Sequence, residues 1–243
     1  MEIVPPQKIV QEYVADSYTI CITNDIKHHF GLENNPQAHV IYDPLFSKKN
    51  IVGIKERTGH YFLVANRLSP EKCVEDIIKA FALFSASNEG YELLLAGFGD
   101  KEYVSSLKKL CDEQGISNKV RFLGYRRDVK KLMEDALALL VASRHEGFGM
   151  MTAEANMTGC PVIGRNSAGT KEIIEHTGGG YLFDDWREMA RCMSTLCGMS
   201  SVERMEWMRK PQQIAIDTYS QEHSAYDVAA LYNNIVEQAK KEN

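Results

Sequence analysis

From His60 onward, short apolar runs alternate with segments whose apolar positions recur three and four residues apart. The runs at 61–65, 91–96, 120–123, 137–142, 161–164 and 180–183 are apolar on both faces and closed by glycine or a polar turn. That is the pattern of strands buried in a parallel sheet. Val74, Ile77, Ile78 and Phe81 mark one amphipathic helix, and Val104, Leu107 and Cys111 a second that ends at Gly115. A further helix runs from Ser201 to about Asp217 with Met205 and Met208 on one side. The last runs from about Gln221 to Lys240 and carries an apolar stripe of Ala225, Val228, Ala229, Tyr232, Ile235 and Val236. Strand–helix alternation repeated this often predicts an α/β domain, a doubly wound parallel sheet of Rossmann-like form with helices on both faces.

The first fifty residues have a different pattern. Helical periodicity at 9–14, an apolar run at 18–22, a short helix at 25–30 and a second run at 38–42 precede the polar linker Ser47-Lys48-Lys49-Asn50. Two strands alone make no stable sheet, so this segment reads as the end of something larger. Three parts follow: 1–50, a main domain at 51–220, and a terminal helix at 221–243. Apolar surface is expected to be exposed on residues 1–45 and on the last helix.

Composition narrows the classes. Of 243 residues, 44% are hydrophobic and 25% charged, enough to bury a full core and to exclude a disordered chain. The longest apolar run, 136–142, falls far short of the roughly 20 residues that cross a bilayer. Met1-Glu2-Ile3-Val4-Pro5-Pro6 lacks the basic-then-apolar order of an export signal. Six cysteines include no C-x-x-C pair, so they read as small buried hydrophobes in a reducing, cytoplasmic setting. A net charge of −5 argues against nucleic acid as a partner, while leaving room for a local cluster that holds one phosphorylated ligand. His28 and His29 are adjacent and point apart, His145 stands alone, and no metal site is predicted.

Two stretches carry candidate chemistry. Glu146-Gly147-Phe148-Gly149-Met150-Met151-Thr152-Ala153-Glu154 follows a buried strand and opens a helix. The glycines allow a tight turn and close approach to the backbone, and the first-turn amides around Met150 to Thr152 make an anion site. Glu146 and Glu154 would address opposite ends of an extended ligand. From turn chemistry alone, a plain strand–helix turn with two solvated glutamates fits equally well. The second stretch, Asn66-Arg67-Leu68-Ser69-Pro70-Glu71-Lys72, also leaves a strand's carboxyl end, with a helix expected from Glu71 or Lys72. Arginine's forked donor and lysine's point charge together suit a diphosphate. Taken singly, two solvated surface cations are the commoner case. Gly97-Phe98-Gly99-Asp100 and Gly124-Tyr125-Arg126 are weaker signals of the same kind.

Together these residues resemble the retaining glycosyltransferases of family 4, over about residues 18–240. The match rests on E-x7-E at Glu146 and Glu154, R-x4-K at Arg67 and Lys72, Val120-Arg121-Phe122-Leu123-Gly124-Tyr125, and Gly159-Cys160-Pro161-Val162-Ile163. The resemblance implies the C-terminal, donor-binding half of a GT-B architecture and transfer of a hexosyl group from a nucleotide sugar, for polysaccharide or glycoconjugate synthesis. Arg67 and Lys72 would hold the diphosphate, joined by Gly149, Met150, Met151 and Thr152. Glu154 would bind ribose, Tyr125 and Arg126 would border the base, Glu146, Gly147 and Phe148 would meet the donor sugar, and Gly97 would also belong to the donor site. No metal or cofactor is implied beyond the donor itself. The resemblance further implies that residues 1–50 are a remnant of the N-terminal acceptor domain, with the rest present in cis or in trans, and that any peripheral membrane association belongs to that absent half. The terminal helix would cross back to it. Two departures stand out: Asn66 and Cys73 occupy positions where the family usually has glycine. The alternatives are a non-catalytic nucleotide-sugar-binding module or subunit of a split enzyme and, less well matched by Glu146-Gly147-Phe148-Gly149, a nucleotide-sugar 2-epimerase.

Overall fold

The computed structural model describes residues 7–241; residues 1–6, which were expected to lack an export signal, and the last two residues lie outside it. The N-terminal segment forms α1 (Gln7–Val14), β1 (Thr19–Cys21), α2 (Asn24–His29) and β2 (Ala38–Val40). β1 and β2 pair in parallel, with Ile20 opposite His39. A short 3-10 turn at Lys48–Asn50 then leads to the main domain.

That domain is a six-stranded parallel sheet of β3 (Tyr61–Ala65), β4 (Glu92–Ala96), β5 (Val120–Gly124), β6 (Ala138–Val141), β7 (Val162–Arg165) and β8 (Gly180–Phe183). The spatial order is β5-β4-β3-β6-β7-β8. Both sheet faces are buried, and the period of two along each strand divides the core. Phe62, Val64, Leu93, Leu95 and Leu140 meet α3 (Val74–Ser85), α4 (Lys101–Glu113) and α8 (Trp186–Gly198). Leu63, Leu94, Leu139 and Val141 meet α5 (Val129–Asp135), α6 (Met150–Met157) and α7 (Ala168–Thr177). A smaller core joins α6 and α7 to α9 (Ser201–Tyr219) through Phe148, Met157, Ile173, Ala215 and Tyr219. α10 (Gln221–Lys241) completes the chain. The doubly wound α/β fold is the predicted one, and β3 and β8 have the predicted bounds.

Local differences have local causes. No helix starts at Glu71 or Lys72: Pro70–Lys72 is a 3-10 turn, Cys73 is left-handed at φ +49°, and α3 begins at Val74. A left-handed residue cannot continue a right-handed helix, so the chain re-enters helix one residue later. Three helices, α5, α7 and α8, fit the expected alternation, although no apolar stripe marks them individually in the reading above. α5 has only seven residues, and α7 opens on the weak helix formers Gly169 and Thr170. α8 was open to detection, since Met189, Met193 and Leu196 recur at helical spacing.

As expected, apolar residues of the N-terminal segment and of α10 are exposed, among them Tyr13, Ile20, Tyr226, Tyr232 and Val236. Among the described residues of α10, Ser224 is the one that is buried. Among the described residues, no helix is long and apolar enough to cross a membrane.

Candidate functional site

β3 and β6 are neighbours, yet the chain leaves β3 toward β4 on one side and β6 toward β7 on the other. The loops at their carboxyl ends therefore part and open a crevice, the place where doubly wound sheets bind ligands. A cavity of about 270 Å³ lies there, lined by Ala65 of β3 and Asn66 just after it, Leu139 and Val141 from β6, Lys72, Glu146 and the turn Phe148 to Thr152.

Gly149 makes the turn at φ +90°, where a side chain would be strained, and it caps α6 without a side-chain partner. The amides of Met150 and Met151 precede any helical carbonyl that could take them, so they remain available to a ligand. Three contacts brace the turn. The Gly169 amide donates to the Glu146 carbonyl at 3.0 Å, and a Cβ on Gly169 would overlap the Phe148 carbonyl. The Thr23 hydroxyl donates to the Gly147 carbonyl at 3.0 Å. The ring of Phe148 packs in the core with Tyr42 at 5.8 Å and Tyr219 at 5.6 Å, while the residue still borders the cavity.

Lys72 reaches this turn. Its Nζ donates to Glu146 Oε1 at 2.7 Å, and both side chains are about one-fifth exposed. Arg67 does not share the cavity. Its Nη2 pairs with Glu71 Oε1 at 3.1 Å on an exposed surface, and the Ser69 hydroxyl donates to the same oxygen at 2.6 Å. These partners, Ser69 first, hold the Glu71 carboxyl below its ordinary range. The expected convergence of both cations on the turn is thus met by Lys72, while Arg67 borders the adjoining clefts. The pairing has a local origin, because Arg67 and Glu71 are four residues apart across a tight turn.

Beside the first cavity lies a second of about 180 Å³, lined by Asn66, Arg67, Gly97, Phe98, Tyr125 and Arg126. Its floor is zipped by backbone: the Leu68 amide donates to the Phe98 carbonyl and the Gly97 amide to the Gly124 carbonyl, each at 2.8 Å. Gly97 is required for this approach, since a Cβ there would overlap the Asn66 carbonyl. Tyr125 is 68% exposed, with Phe98 6.3 Å away, a pair of rings open to a planar partner. Arg126 forks onto Asp128 at 2.8 and 2.6 Å.

Glu154, on α6, lines neither cavity. Its carboxylate has no hydrogen-bond or ion-pair partner among the described residues, and burial pushes its pKa up to about 7. Glu172, which no motif in the chain singles out, has the opposite environment. Its carboxylate accepts from the backbone amides of Asn24 and Asp25 at 3.0 Å each, from Asn24 Nδ2 at 2.9 Å and from the Tyr42 hydroxyl at 2.9 Å. Burial works to raise its pKa, but those donors outweigh it and hold it below the ordinary value. This tie fixes α2, and with it Thr23, against Gly147. Thr23-Asn24-Asp25 is legible as a helix cap; its partner far along the chain is not. Among the described residues, no group of three His, Cys, Asp or Glu is placed to hold a metal ion.

Fold and site define a doubly wound α/β domain with a glycine turn of free amides at the switch point of its sheet. Residues 47–195 match the family described as Glycosyl transferases group 1, and the chain belongs to that family. It is 33% identical over 163 residues to the N-acetyl-alpha-D-glucosaminyl L-malate synthase of Bacillus anthracis, a match that covers 63% of this chain and 42% of that protein. A GDP-mannose-dependent alpha-(1-6)-phosphatidylinositol monomannoside mannosyltransferase of Mycobacterium tuberculosis is 28% identical over 128 residues, or 49% of this chain and 33% of that one. The chain spans less than half the length of these curated relatives. In fold it is similar to Anabaena Alr3699/HepE, solved in complex with UDP, with a TM-score of 0.78, 20% identity, and coverage of 97% of this chain and 67% of that one.

Proposed function

We propose that this chain is the donor-binding half of a retaining glycosyltransferase that takes a hexosyl group from a nucleoside-diphosphate sugar. The observation that carries the reading is the meeting of Lys72, Glu146 and the unpaired amides of α6 in one cavity at the β3–β6 switch point. The base would lie in the second cavity against Tyr125 and Phe98. The diphosphate would cross toward Lys72 and the amides of Met150 and Met151. The sugar would lie in the first cavity beside Glu146 and Gly147. Glu154 would accept the ribose hydroxyls.

Departure of a diphosphate leaves negative charge on its oxygens, and fixed cationic and amide donors stabilise that charge without reorganising. Lys72 and the α6 amides supply such donors. As the glycosidic bond breaks, positive charge develops on the sugar, and Glu146 would be the anion that faces it. In the structure Lys72 and Glu146 neutralise each other, so the diphosphate would take over Lys72 and leave the carboxylate to the sugar side. Arg67 would join by exchanging Glu71, an exposed partner of the kind worth at most about 1 kcal/mol. The name of the Mycobacterium tuberculosis relative specifies GDP-mannose and the HepE structure holds UDP, which supports a nucleotide-sugar donor without fixing the base.

Titration calorimetry with UDP and GDP tests the reading. Wild type is expected to bind at least one of them, and Lys72→Ala to lose about tenfold or more in affinity, the worth of a charge-assisted contact to phosphate. Equal binding by wild type and variant, or no binding by wild type, contradicts it.

A further inference from the structure

Asn66 lines both cavities, the one that holds Lys72 and Glu146 and the one that holds Tyr125 and Phe98. It is the first residue after β3, and its backbone is clamped. Ala65 stands in register with Ala96, Leu68 bonds to Phe98, and the Asn66 carbonyl packs directly under Gly97. The side chain is treated otherwise. Oδ1 is buried with no hydrogen-bond partner, and Nδ2 has none among the described residues and is not shut off from solvent as Oδ1 is. A buried acceptor left unpaired costs stability, so folding gives no reason for a carboxamide at this point. The other polar side chains nearby are committed: Lys72 to Glu146, Arg67 to Glu71, and Arg126 to Asp128.

We infer that Asn66 is a specificity-determining residue that donates from Nδ2 to the diphosphate of the bound nucleotide. This rests on the donor-binding reading above. A nucleotide sugar laid across the two cavities has its base in one and its sugar in the other, and the diphosphate joins them. Asn66 stands at that junction. A neutral amide there adds a directed donor to the point charge of Lys72 without drawing Glu146 away. Its rigid backbone means that little freedom is lost when it binds. Asn66 therefore favours diphosphates over ligands that end at the nucleoside.

The test compares wild type, Asn66→Ala and Asn66→Asp by calorimetry with UDP, GDP, uridine and guanosine, with thermal unfolding as a check on folding. Asn66→Ala is expected to weaken whichever diphosphate wild type binds by about tenfold, a typical loss for a hydrogen bond to a charged group. Asn66→Asp is expected to weaken it further, because a carboxylate repels phosphate, and both should leave nucleoside binding within about twofold. Unchanged diphosphate binding in both variants overturns the assignment. So does a matching loss for nucleoside and diphosphate, which would mean that Asn66 only shapes the loops. If wild type binds neither diphosphate, the donor-binding reading fails and this inference falls with it; if wild type binds and the Asn66 variants bind as well, the inference alone fails.

Discussion

The two sheets of this protein are held in different ways. In the six-stranded sheet the four central strands, β4, β3, β6 and β7, are buried almost throughout, and helices cover both faces. The β1–β2 pair has three residues per strand, and Ile20 is 45% exposed. What joins its segment to the rest of the chain combines apolar packing of Ile22, Tyr42 and Leu45 around Phe148 and Tyr219 with directed bonds: Glu172 on the start of α2, Thr23 on Gly147, and the Ser224 hydroxyl of α10 donating to the Tyr42 carbonyl at 2.8 Å. The large sheet is stabilised by apolar burial and positions the cavity. The small one has only a few apolar contacts beside its directed bonds, and one of those bonds reaches the glycine turn. Stability and site alignment are therefore governed by different residues.

The largest contrast is expected in the cores. Leu139→Ala, at a fully buried position of β6, should destabilise the fold by roughly 3 kcal/mol, whereas Ile20→Ala in β1 should cost less than about 0.5 kcal/mol. Denaturant unfolding checks both, and comparable losses would erase the distinction.

Glu172→Ala comes next, at about 2 kcal/mol, because it leaves four donors without their acceptor. The effect should be local. Hydrogen exchange at the Asn24 and Asp25 amides should rise while β3 and β6 amides stay protected. Because the Glu172 pKa is depressed, its contribution is present above the ordinary carboxylate value of 4.5 and is lost as pH falls below it. Wild type should then show the same exchange pattern in acid.

Glu154 has the reverse sign. A pKa raised from 4.5 to about 7 means that folding favours its neutral form, so it costs nothing below 4.5 and an increasing amount as pH rises toward 7. Glu154→Gln should equal wild type in stability at pH 4 and exceed it at pH 8 by on the order of 2 kcal/mol. A diphosphate whose ribose hydroxyls donate to Glu154 should also bind wild type more tightly as pH rises through 7, and Glu154→Gln should lose that dependence.

The smallest effect belongs to Arg67. Its pair with Glu71 is exposed, so Arg67→Ala should change stability by less than about 0.5 kcal/mol while still lowering diphosphate affinity. A large loss of stability would show that the pair holds the loop together.

The same contrast explains what could be read from the chain. All six main strands were legible: the four central ones because a strand buried on both faces is a short continuous apolar run whose neighbours need not be known, the half-buried edge strands β5 and β8 because their short apolar runs end at a turn. The turn at Gly149 was legible because its left-handed backbone demands glycine. The 3-10 turn before Cys73 was not, since a left-handed cysteine leaves no compositional trace. Arg67 and Glu71 stand at a visible spacing of four, but that spacing does not tell a cation facing its neighbour from one facing a ligand. Glu172 was missed, and Asn66 was noticed only as a residue standing where glycine is usual, for one reason: their surroundings come from residues far along the chain, Asn24 and Tyr42 for the first and Gly97 for the second. Glu154 was found as a candidate, but its burial, which sets its charge, comes from packing alone.

The central claim is that a nucleoside diphosphate sits across the two cavities at the switch point, on the α6 amides and Lys72. Amide chemical-shift mapping during titration with UDP and GDP tests it most directly. The account predicts that shifts concentrate at Gly149, Met150, Met151, Lys72, Asn66, Gly97 and Tyr125, with the amides of α10 unmoved. Shifts centred on α10 and β2, or no saturable shifts with either nucleotide, would contradict it.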